Sequence, residues 1–413
     1  MAVRYTPPTP ESLLPVPGIA LGSAAAQIKN WTRDDVLLIV AEPGTVAAGV
    51  FTQNRFCAAP VAICRAHLNV QHARSLDFRA LVINAGNANA GTGEAGFEAA
   101  RTTCVSASRL IDCAPEQVLP FSTGVIMEPL PVERVVAGLP SAQAALRQDG
   151  WFKAAKAIMT TDTVPKGASR RVTIDGIPVT VTGIAKGSGM IHPDMATMLS
   201  FMATDAPIAP ELLATMTRGV ADVSFNGATV DGDTSTNDSF VIAATGKAPI
   251  ELITTSADAR AAIVNGAIES VAIELAQAIV RDGEGATKFI TIRVEGGHDA
   301  SECRRVGFAI AHSPLVKTAF FASDPNLGRI ISAIGNAGAA DLDPAGVSFW
   351  LDDVMVVDRG GRAESYREED GLRIMKQDEI TVRVDLGRGR AQATVWTCDF
   401  SHDYVSINAD YRS

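Results

Sequence analysis

The stretch Lys186-Gly-Ser-Gly-Met-Ile-His-Pro-Asp-Met-Ala196-Thr197-Met-Leu-Ser200 leads from a glycine-rich loop into an apolar segment that begins at a threonine. Glycine and proline interrupt regular structure, and residues 197–204 have the composition of a buried strand. Spacing alone makes Thr197 the first residue of a core strand. A second, chemical interpretation is open: a threonine that follows a flexible loop could attack the peptide bond before it and cleave the chain.

A threonine hydroxyl is a poor nucleophile at neutral pH unless a base activates it. Cleavage of the peptide bond before Thr197 would release an α-amine, whose ordinary pKa of about 7.7–8.0 lets it accept the hydroxyl proton. The same hydroxyl could attack the carbonyl of Ala196 to give an ester that water hydrolyses, and Gly187 and Gly189 would let the chain fold back. The chemical interpretation predicts cleavage between Ala196 and Thr197.

An acyl-transfer site also needs hydrogen-bond donors for the negative charge that develops on the carbonyl oxygen. Ser122-Thr-Gly124 follows the apolar segment 117–121. This geometry could present the Thr123 hydroxyl and the Gly124 N–H as such donors. An ordinary strand-to-loop turn is the alternative.

Apolar runs alternate with helical patterns along the 413 residues, which predicts mixed α/β architecture. Apolar residues at helical spacing predict helices over residues 94–111, 132–147 and 257–281. Predicted strands cover residues 35–41, 44–52, 80–85, 197–204, 287–294, 347–357, 379–385 and 391–398. Asp175-Gly176 supplies the positive φ angles of a tight turn, so residues 171–183 are predicted to form a hairpin.

Charge and composition exclude several classes of protein. The formal net charge is −10, from 36 basic and 46 acidic residues, which argues against a nucleic-acid or membrane-surface protein. Residues 1–17 hold five prolines but no unbroken apolar stretch, unlike a secretory signal, and segment 270–280 resembles a packed helix rather than a membrane span. The six cysteines form no C-x-x-C pair. Free thiols and a cytoplasmic location are therefore predicted.

Two motifs suggest other chemistry but lack parts of it. Gly91-Thr-Gly-Glu-Ala-Gly96 has the glycine spacing of a dinucleotide loop, yet its first glycine is the sixth residue after the predicted strand, and Asp112 falls at the end of a helix. Asp231-Gly-Asp-Thr-Ser235 begins like a calcium loop but has Thr236 and Ile242 where that loop needs glycine and glutamate. No histidine pair has metal-ligand spacing, so no metal site is predicted.

A series of motifs spreads over nearly the whole chain. They are Gly49-Val-Phe-Thr-Gln-Asn54, Asn84-Ala-Gly-Asn-Ala-Asn89, Ser122-Thr-Gly-Val125, Ile158-Met-Thr-Thr-Asp-Thr163, Gly183-Ile-Ala-Lys-Gly-Ser-Gly-Met190, Pro193-Asp-Met-Ala-Thr-Met198, Asp282-Gly-Glu-Gly285, Ser313-Pro-Leu-Val-Lys-Thr318, Asp324-Pro-Asn326 and Asn408-Ala-Asp-Tyr411. In this order they are highly specific, and with them the sequence resembles the ornithine acetyltransferases, also called bifunctional glutamate N-acetyltransferases, of the cyclic arginine pathway.

The resemblance implies a layered α/β sandwich of the N-terminal-nucleophile type. It implies an alpha chain of residues 1–196 and a beta chain of residues 197–413 that stay associated, often as a heterotetramer of two each. Thr197 would take the acetyl group from N-acetylornithine, release ornithine and pass the acetyl group to glutamate in a ping-pong cycle. No cofactor is implied, although acetyl-CoA is a second donor in bifunctional members.

The resemblance also implies roles for single residues. Thr123 and Gly124 match the oxyanion hole, and the substrate-binding set matches Thr160, Lys186, Thr197, Glu284, Asn408 and the C-terminal Ser413. Lys186 could pair with a substrate carboxylate and Glu284 with the ornithine ammonium. Ser413 replaces the family's usual threonine, which keeps the hydroxyl but loses a methyl contact. A related self-processing amidase or aminopeptidase, which delivers the acyl group to water, is the alternative function.

Overall fold

The computed structural model describes residues 2–192, 198–339 and 341–409. Its strands are β1 (Ile19–Ala24), β2 (Val36–Ala41), β3 (Val46–Phe51), β4 (Ala80–Asn87), β5 (Val118–Val125), β6 (Lys166–Ile174), β7 (Ile177–Lys186), β8 (Leu199–Thr204), β9 (Ser239–Ala244), β10 (Phe289–Gly297), β11 (Ser348–Leu351), β12 (Val354–Asp358), β13 (Gly361–Arg362), β14 (Glu379–Asp385) and β15 (Ala391–Cys398). Its α-helices are α1 (Ala59–Arg74), α2 (Gly93–Leu110), α3 (Val132–Ala144), α4 (Trp151–Ala157), α5 (Pro210–Val223), α6 (Ala259–Arg281), α7 (Ala300–Ala311), α8 (Pro314–Ala322), α9 (Gly328–Gly335), α10 (Glu368–Met375) and α11 (His402–Ala409). The predicted mixed α/β class is confirmed.

The chain divides into two units. The sandwich unit comprises Thr6–Asn226 and Asp233–Ile279. The C-terminal unit comprises Met1–Tyr5, Gly227–Gly232 and Val280–Ser413.

The sandwich unit stacks two sheets face to face, one in the order β1-β2-β4-β5 and the other in the order β3-β9-β8-β7-β6. Alternate residues of β2 serve different layers, because side chains alternate across a strand. Leu37 shares a core with Phe201 of the second sheet, whereas Leu38 belongs to the core beneath α2 and α3. Helix α5 contacts β3 and β9. The predicted layered sandwich is confirmed.

The central strand of the second sheet is β8. It pairs parallel with β9 and antiparallel with β7, where Lys186 lies opposite Leu199. Thr197 and Ala196 lie outside the described residues. The described part of the chain resumes at Met198, directly before β8. The strand predicted over residues 197–204 is confirmed for Leu199–Thr204.

The C-terminal unit contains a six-stranded sheet in the order β13-β12-β11-β14-β10-β15, packed with α7 to α10 around one core. The apolar pattern of residues 347–357 proves to be two antiparallel strands, β11 and β12. Asp352, whose φ is 49°, lies in the turn between them. Aspartate tolerates the left-handed region better than most residues, which permits the reversal.

The structure also bears on the predicted hairpin, helices and cysteines. The hairpin is confirmed as β6 and β7, with φ of 51° at Asp175 and 79° at Gly176. The three predicted helices are confirmed as α2, α3 and α6, while the sequence pattern gave no prediction for α1, α4, α5 or the helices after α6. All six cysteines are free thiols.

Helix α6 is the one helix among the described residues that is long and apolar enough to cross a membrane. However, 56% of its most apolar window is buried within the protein. This burial is typical of a packed core helix, as predicted for residues 270–280.

Candidate active site

Thr123 and Gly124 lie inside strand β5 rather than in a turn after it. The alternative of an ordinary strand-to-loop turn is therefore wrong: β4 continues to Asn87, so β5 keeps a pairing partner as far as Val125. The register shifts here, since Asn87 pairs with both Thr123 and Val125. Such an irregularity changes the direction of the side chains at the end of a sheet.

Gly124 is required by the close approach of the two strands. Its φ is 138°, and a Cβ atom at this position would lie 2.2 Å from the carbonyl carbon of Gly86 and 2.4 Å from the nitrogen of Asn87. Only glycine, which lacks Cβ, fits this backbone.

Lys186, the last residue of β7, reaches the end of β5. Its Nζ donates a hydrogen bond of 3.1 Å to the Thr123 Oγ1, and both side chains are buried. A hydroxyl that accepts from an ammonium still has its own proton to donate. The pair therefore makes Thr123 a hydrogen-bond donor directed to another acceptor, as an oxyanion hole requires.

Asp162 links the loop that contains Thr160 to the end of β7 through hydrogen bonds. Its Oδ2 accepts from the Thr160 N–H at 3.0 Å, and its Oδ1 accepts from the Gly187 N–H at 2.7 Å and from the Lys166 Nζ at 2.5 Å. Burial alone would raise the pKa of the Asp162 carboxyl, but Lys166, Lys186 and the Gly187 N–H hold that pKa well below its usual value. Asp162 is therefore a carboxylate at neutral pH.

Sequence reasoning assigned no role to Asp162 or Lys166, although Asp162 lies in the quoted motif of residues 158–163. An available signal was the spacing of an acid and a base four residues apart. Lys166 is completely buried, and a buried cation requires a partner.

Asp238 is a second acid that sequence reasoning missed. Its Oδ1 accepts from the Met198 N–H at 3.1 Å. Burial raises the pKa of the Asp238 carboxyl well above its usual value, and the opposing effects of the Met198 N–H, Lys186 and Ser235 are smaller. The carboxylate of Asp162 faces the ammonium groups of both Lys166 and Lys186. These two cations lie beside one acid in a chain whose net charge is −10.

Buried asparagines hold the segment before Thr123. The Asn237 Nδ2 donates to the carbonyl oxygens of Ala88 at 2.6 Å and Ser122 at 2.9 Å. The Ser122 Oγ donates to the Asn84 Oδ1 at 2.6 Å. These bonds fix the backbone that leads into the two candidate oxyanion donors.

The glycine motif of residues 91–96 accommodates the protein's own side chains. The Asn89 Nδ2 donates to the Gly96 carbonyl at 2.9 Å, and a Cβ on Gly96 would lie 2.0 Å from the Thr92 Oγ1. Packing of Asn89 and Thr92 therefore accounts for the last glycine of the motif.

In the C-terminal unit, Glu284 and Asn408 are in direct contact. The Asn408 Nδ2 donates to the Glu284 Oε2 at 2.8 Å and to the Tyr404 carbonyl at 3.0 Å. Tyr404 in turn donates from its hydroxyl to the Asp231 Oδ2 at 3.2 Å. Glu284 is thus a buried acid whose orientation is set by α11.

The structure groups the predicted site residues by unit. Thr123, Gly124, Thr160 and Lys186 come together in the sandwich unit through the contacts above, and Glu284 and Asn408 in the C-terminal unit. The cleavage pair Ala196 and Thr197 and the C-terminal Ser413 lie outside the described residues.

Solved structures similar to this chain include an arginine biosynthesis protein and an ornithine acetyltransferase. The bifunctional arginine biosynthesis protein argJ of Bacillus halodurans is 35% identical, with 51% of this chain and 97% of that chain covered and a TM-score of 0.49. The ornithine acetyltransferase of Mycobacterium tuberculosis, solved with ornithine, is 31% identical, with 45% and 94% covered and a TM-score of 0.37.

A third similar structure is the L-aminopeptidase D-Ala-esterase/amidase of Ochrobactrum anthropi. It is 13% identical, with 68% of this chain and 90% of that chain covered and a TM-score of 0.39.

The family itself is established by a match over most of the sequence. The model of the ArgJ family matches residues 20–413. The chain therefore belongs to the ArgJ family, the ornithine acetyltransferases of arginine biosynthesis that its motifs resemble.

Proposed function

We propose that this chain is a self-processing acetyltransferase that moves the acetyl group of N-acetylornithine to glutamate, through an acetyl ester on Thr197. The observation that carries the proposal is the buried hydrogen bond from Lys186 to Thr123 beside Gly124. It leaves the Thr123 hydroxyl proton available for an oxyanion, next to a glycine that no other residue can replace.

The proposed cycle has two acyl transfers. The Thr197 hydroxyl attacks the acetyl carbonyl and gives its proton to its own α-amine, while the Thr123 O–H and the Gly124 N–H stabilise the oxyanion. Collapse breaks the C–N bond, and the amine returns the proton to the departing ornithine. Glutamate then attacks the acetyl-Thr197 ester by the reverse path and leaves as N-acetylglutamate.

Charge supports the assignment of the substrate groups. The two lysines beside Asp162 supply positive charge suited to an amino-acid carboxylate. Glu284 suits the side-chain ammonium of ornithine, with Asn408 orienting it. Thr160 and Ser413 complete the proposed binding set.

Sheet order supports continued association of the two fragments after cleavage between Ala196 and Thr197. Strands β3, β6 and β7 would belong to the alpha chain and β8 and β9 to the beta chain, yet β9 and β8 lie between β3 and β7 in the sheet order β3-β9-β8-β7-β6. Two fragments interleaved in one sheet share its hydrogen bonds and core. We further propose a heterotetramer of two alpha and two beta chains, a cytoplasmic location and acetyl-CoA as a second acetyl donor.

Intact mass spectrometry and a product assay test the proposal. Wild-type protein should yield two fragments, the second beginning at Thr197, whereas Thr197→Ala should stay uncut and inactive, and Thr197→Ser should retain part of both activities. With N-acetylornithine and glutamate the product should be N-acetylglutamate. Free acetate alone would indicate an amidase, and an uncut but active wild-type chain would refute the mechanism.

A further inference from the structure

Arg33 is a half-buried cation that forms no ion pair with any acid in the described part of the chain. Its two terminal nitrogens donate to the carbonyl oxygens of Asp34 at 3.4 Å, Lys156 at 3.3 Å and Met159 at 2.5 Å. The Trp31 ring stacks on the guanidinium, whose carbon lies 4.0 Å from the ring centroid. These contacts hold the group in place but leave its charge unbalanced, whereas buried charges generally have a counter-ion.

The two acids that act on Arg33 are bonded to other donors. Asp35 accepts the N–H groups of Ala26 at 2.6 Å and Ile28 at 2.7 Å, and the Asp162 carboxylate accepts the donors described above. Burial lowers the pKa of the Arg33 guanidinium, and the attraction of Asp35 and Asp162 opposes that change. An arginine remains a cation at neutral pH even so. Its charge is therefore available to an anion from outside the protein.

One edge of the Arg33 guanidinium is open for such an anion. The Nε–H has no acceptor among the residues that the structure describes. Arg147 of the same chain shows what this edge of an arginine binds, because its Nε and Nη2 donate to the two carboxylate oxygens of Asp149 at 2.8 and 2.9 Å. A carboxylate that accepts from the Arg33 Nε–H would balance the charge through a strong, charge-assisted hydrogen bond.

Direct contacts connect Arg33 to the candidate oxyanion site within the sandwich unit. Its acceptor Met159 directly precedes Thr160, a member of the proposed binding set. On the other side, Trp31 lies against Gly86, where a Cβ atom would be 3.4 Å from the tryptophan ring. Gly86 is in turn the residue against which the candidate oxyanion glycine packs. Arg33 thus adjoins both the loop of Thr160 and the end of β4.

The acceptor in the proposed function needs a cation that the donor does not need. N-acetylornithine has one carboxylate and a side-chain ammonium, which were assigned above to Lys186 and Glu284. Glutamate has two carboxylates, so its second one requires a further cation. Lys166 is completely buried and Lys29 forms an ion pair at 2.8 Å. Arg33 is partly exposed and has no such partner among the described residues.

We propose that Arg33 binds the side-chain carboxylate of glutamate and is thereby a specificity-determining residue for the acetyl acceptor. The inference rests on the proposed acetyl transfer to glutamate. Because glutamate enters only after ornithine has left, Arg33 acts in the second half of the cycle. The first half, in which N-acetylornithine gives up its acetyl group, does not depend on this charge.

The test is Arg33→Gln, which removes the charge but keeps a donor for the carbonyl oxygens at the end of α4. In a ping-pong cycle, kcat/KM for each substrate reports that substrate's own half of the reaction. With rates normalised to the cleaved fraction, we expect kcat/KM for glutamate to fall about tenfold or more. The value for N-acetylornithine should stay within about threefold of wild type.

Glutamine as acceptor gives a second readout, because it has the shape of glutamate without the side-chain charge. The wild-type preference for glutamate over glutamine should fall about tenfold in Arg33→Gln. Lys29→Gln is the matched control: it removes a cation from the same loop, but one already paired with Glu128, and should keep the preference within about threefold. If Arg33→Gln fails to fold, Arg33→Lys replaces it. Lysine keeps the charge without the planar fork and should lose about threefold or more for glutamate alone.

Three outcomes would overturn the role of Arg33. One is an equal loss for both substrates, which would mean that the side chain only supports its loop. The others are an unchanged preference for glutamate in the folded variant and an equal loss of preference in Lys29→Gln. Wild-type protein that transfers no acetyl group to glutamate would instead refute the proposed function.

Discussion

Removal of the Thr123 hydroxyl tests the proposed oxyanion hole directly. Thr123→Val keeps the shape of the side chain but deletes the group that accepts from Lys186 at 3.1 Å. Loss of one oxyanion donor lowers kcat about 10²–10³-fold, equivalent to about 2.7–4 kcal/mol of transition-state stabilisation. Because the Lys186 ammonium loses one buried acceptor, stability should also fall by about 1–3 kcal/mol.

The assay is the steady-state rate of acetyl transfer from N-acetylornithine to glutamate, normalised to the cleaved fraction measured by intact mass. KM should change much less than kcat, since the hydroxyl acts on charge that develops only in the transition state. Thr123→Ser, which retains the hydroxyl, is the matched control and should stay within about tenfold of wild type. A cleaved valine variant with kcat within about threefold of wild type would refute the oxyanion role of Thr123.

Three further substitutions probe the surroundings of this site. Asp162→Asn leaves two buried lysines without their carboxylate and should cost about 3–5 kcal/mol in urea unfolding. Because the folded pKa of Asp162 is lowered, the difference from wild type should be complete above about pH 4 and shrink as the pH falls below that value. Gly124→Ala forces a Cβ to 2.2 Å from Gly86, so we expect a loss of about 1–3 kcal/mol and of most activity, measured by thermal unfolding and kcat. Glu284→Gln should raise KM for N-acetylornithine about tenfold or more with little change in kcat, because a charge-assisted hydrogen bond to the ammonium is lost.

Local patterns predicted much of the secondary structure but not the surroundings of the site. The Asp175-Gly176 hairpin follows from turn chemistry between neighbouring residues, so it is readable from sequence. The position of Thr123 is different: its strand continues through Gly124 only because β4 extends beside it. A strand's end depends on its neighbour in the sheet, which local sequence does not contain.

The sequence alone predicts cleavage at the Ala196–Thr197 junction, acyl-transfer chemistry and the residues for it, because these predictions depend on residue type and order. Only the tertiary structure decided how their charges are balanced. The bond from Lys186 to Thr123 joins residues 63 positions apart, and Met198 meets Asp238 across 40 positions. Such contacts follow from strand order and burial. Burial raises the pKa of a carboxyl, so Asp162 stays charged because two lysines face it. At Asp238 the opposing effects are smaller, and burial raises the pKa of its carboxyl.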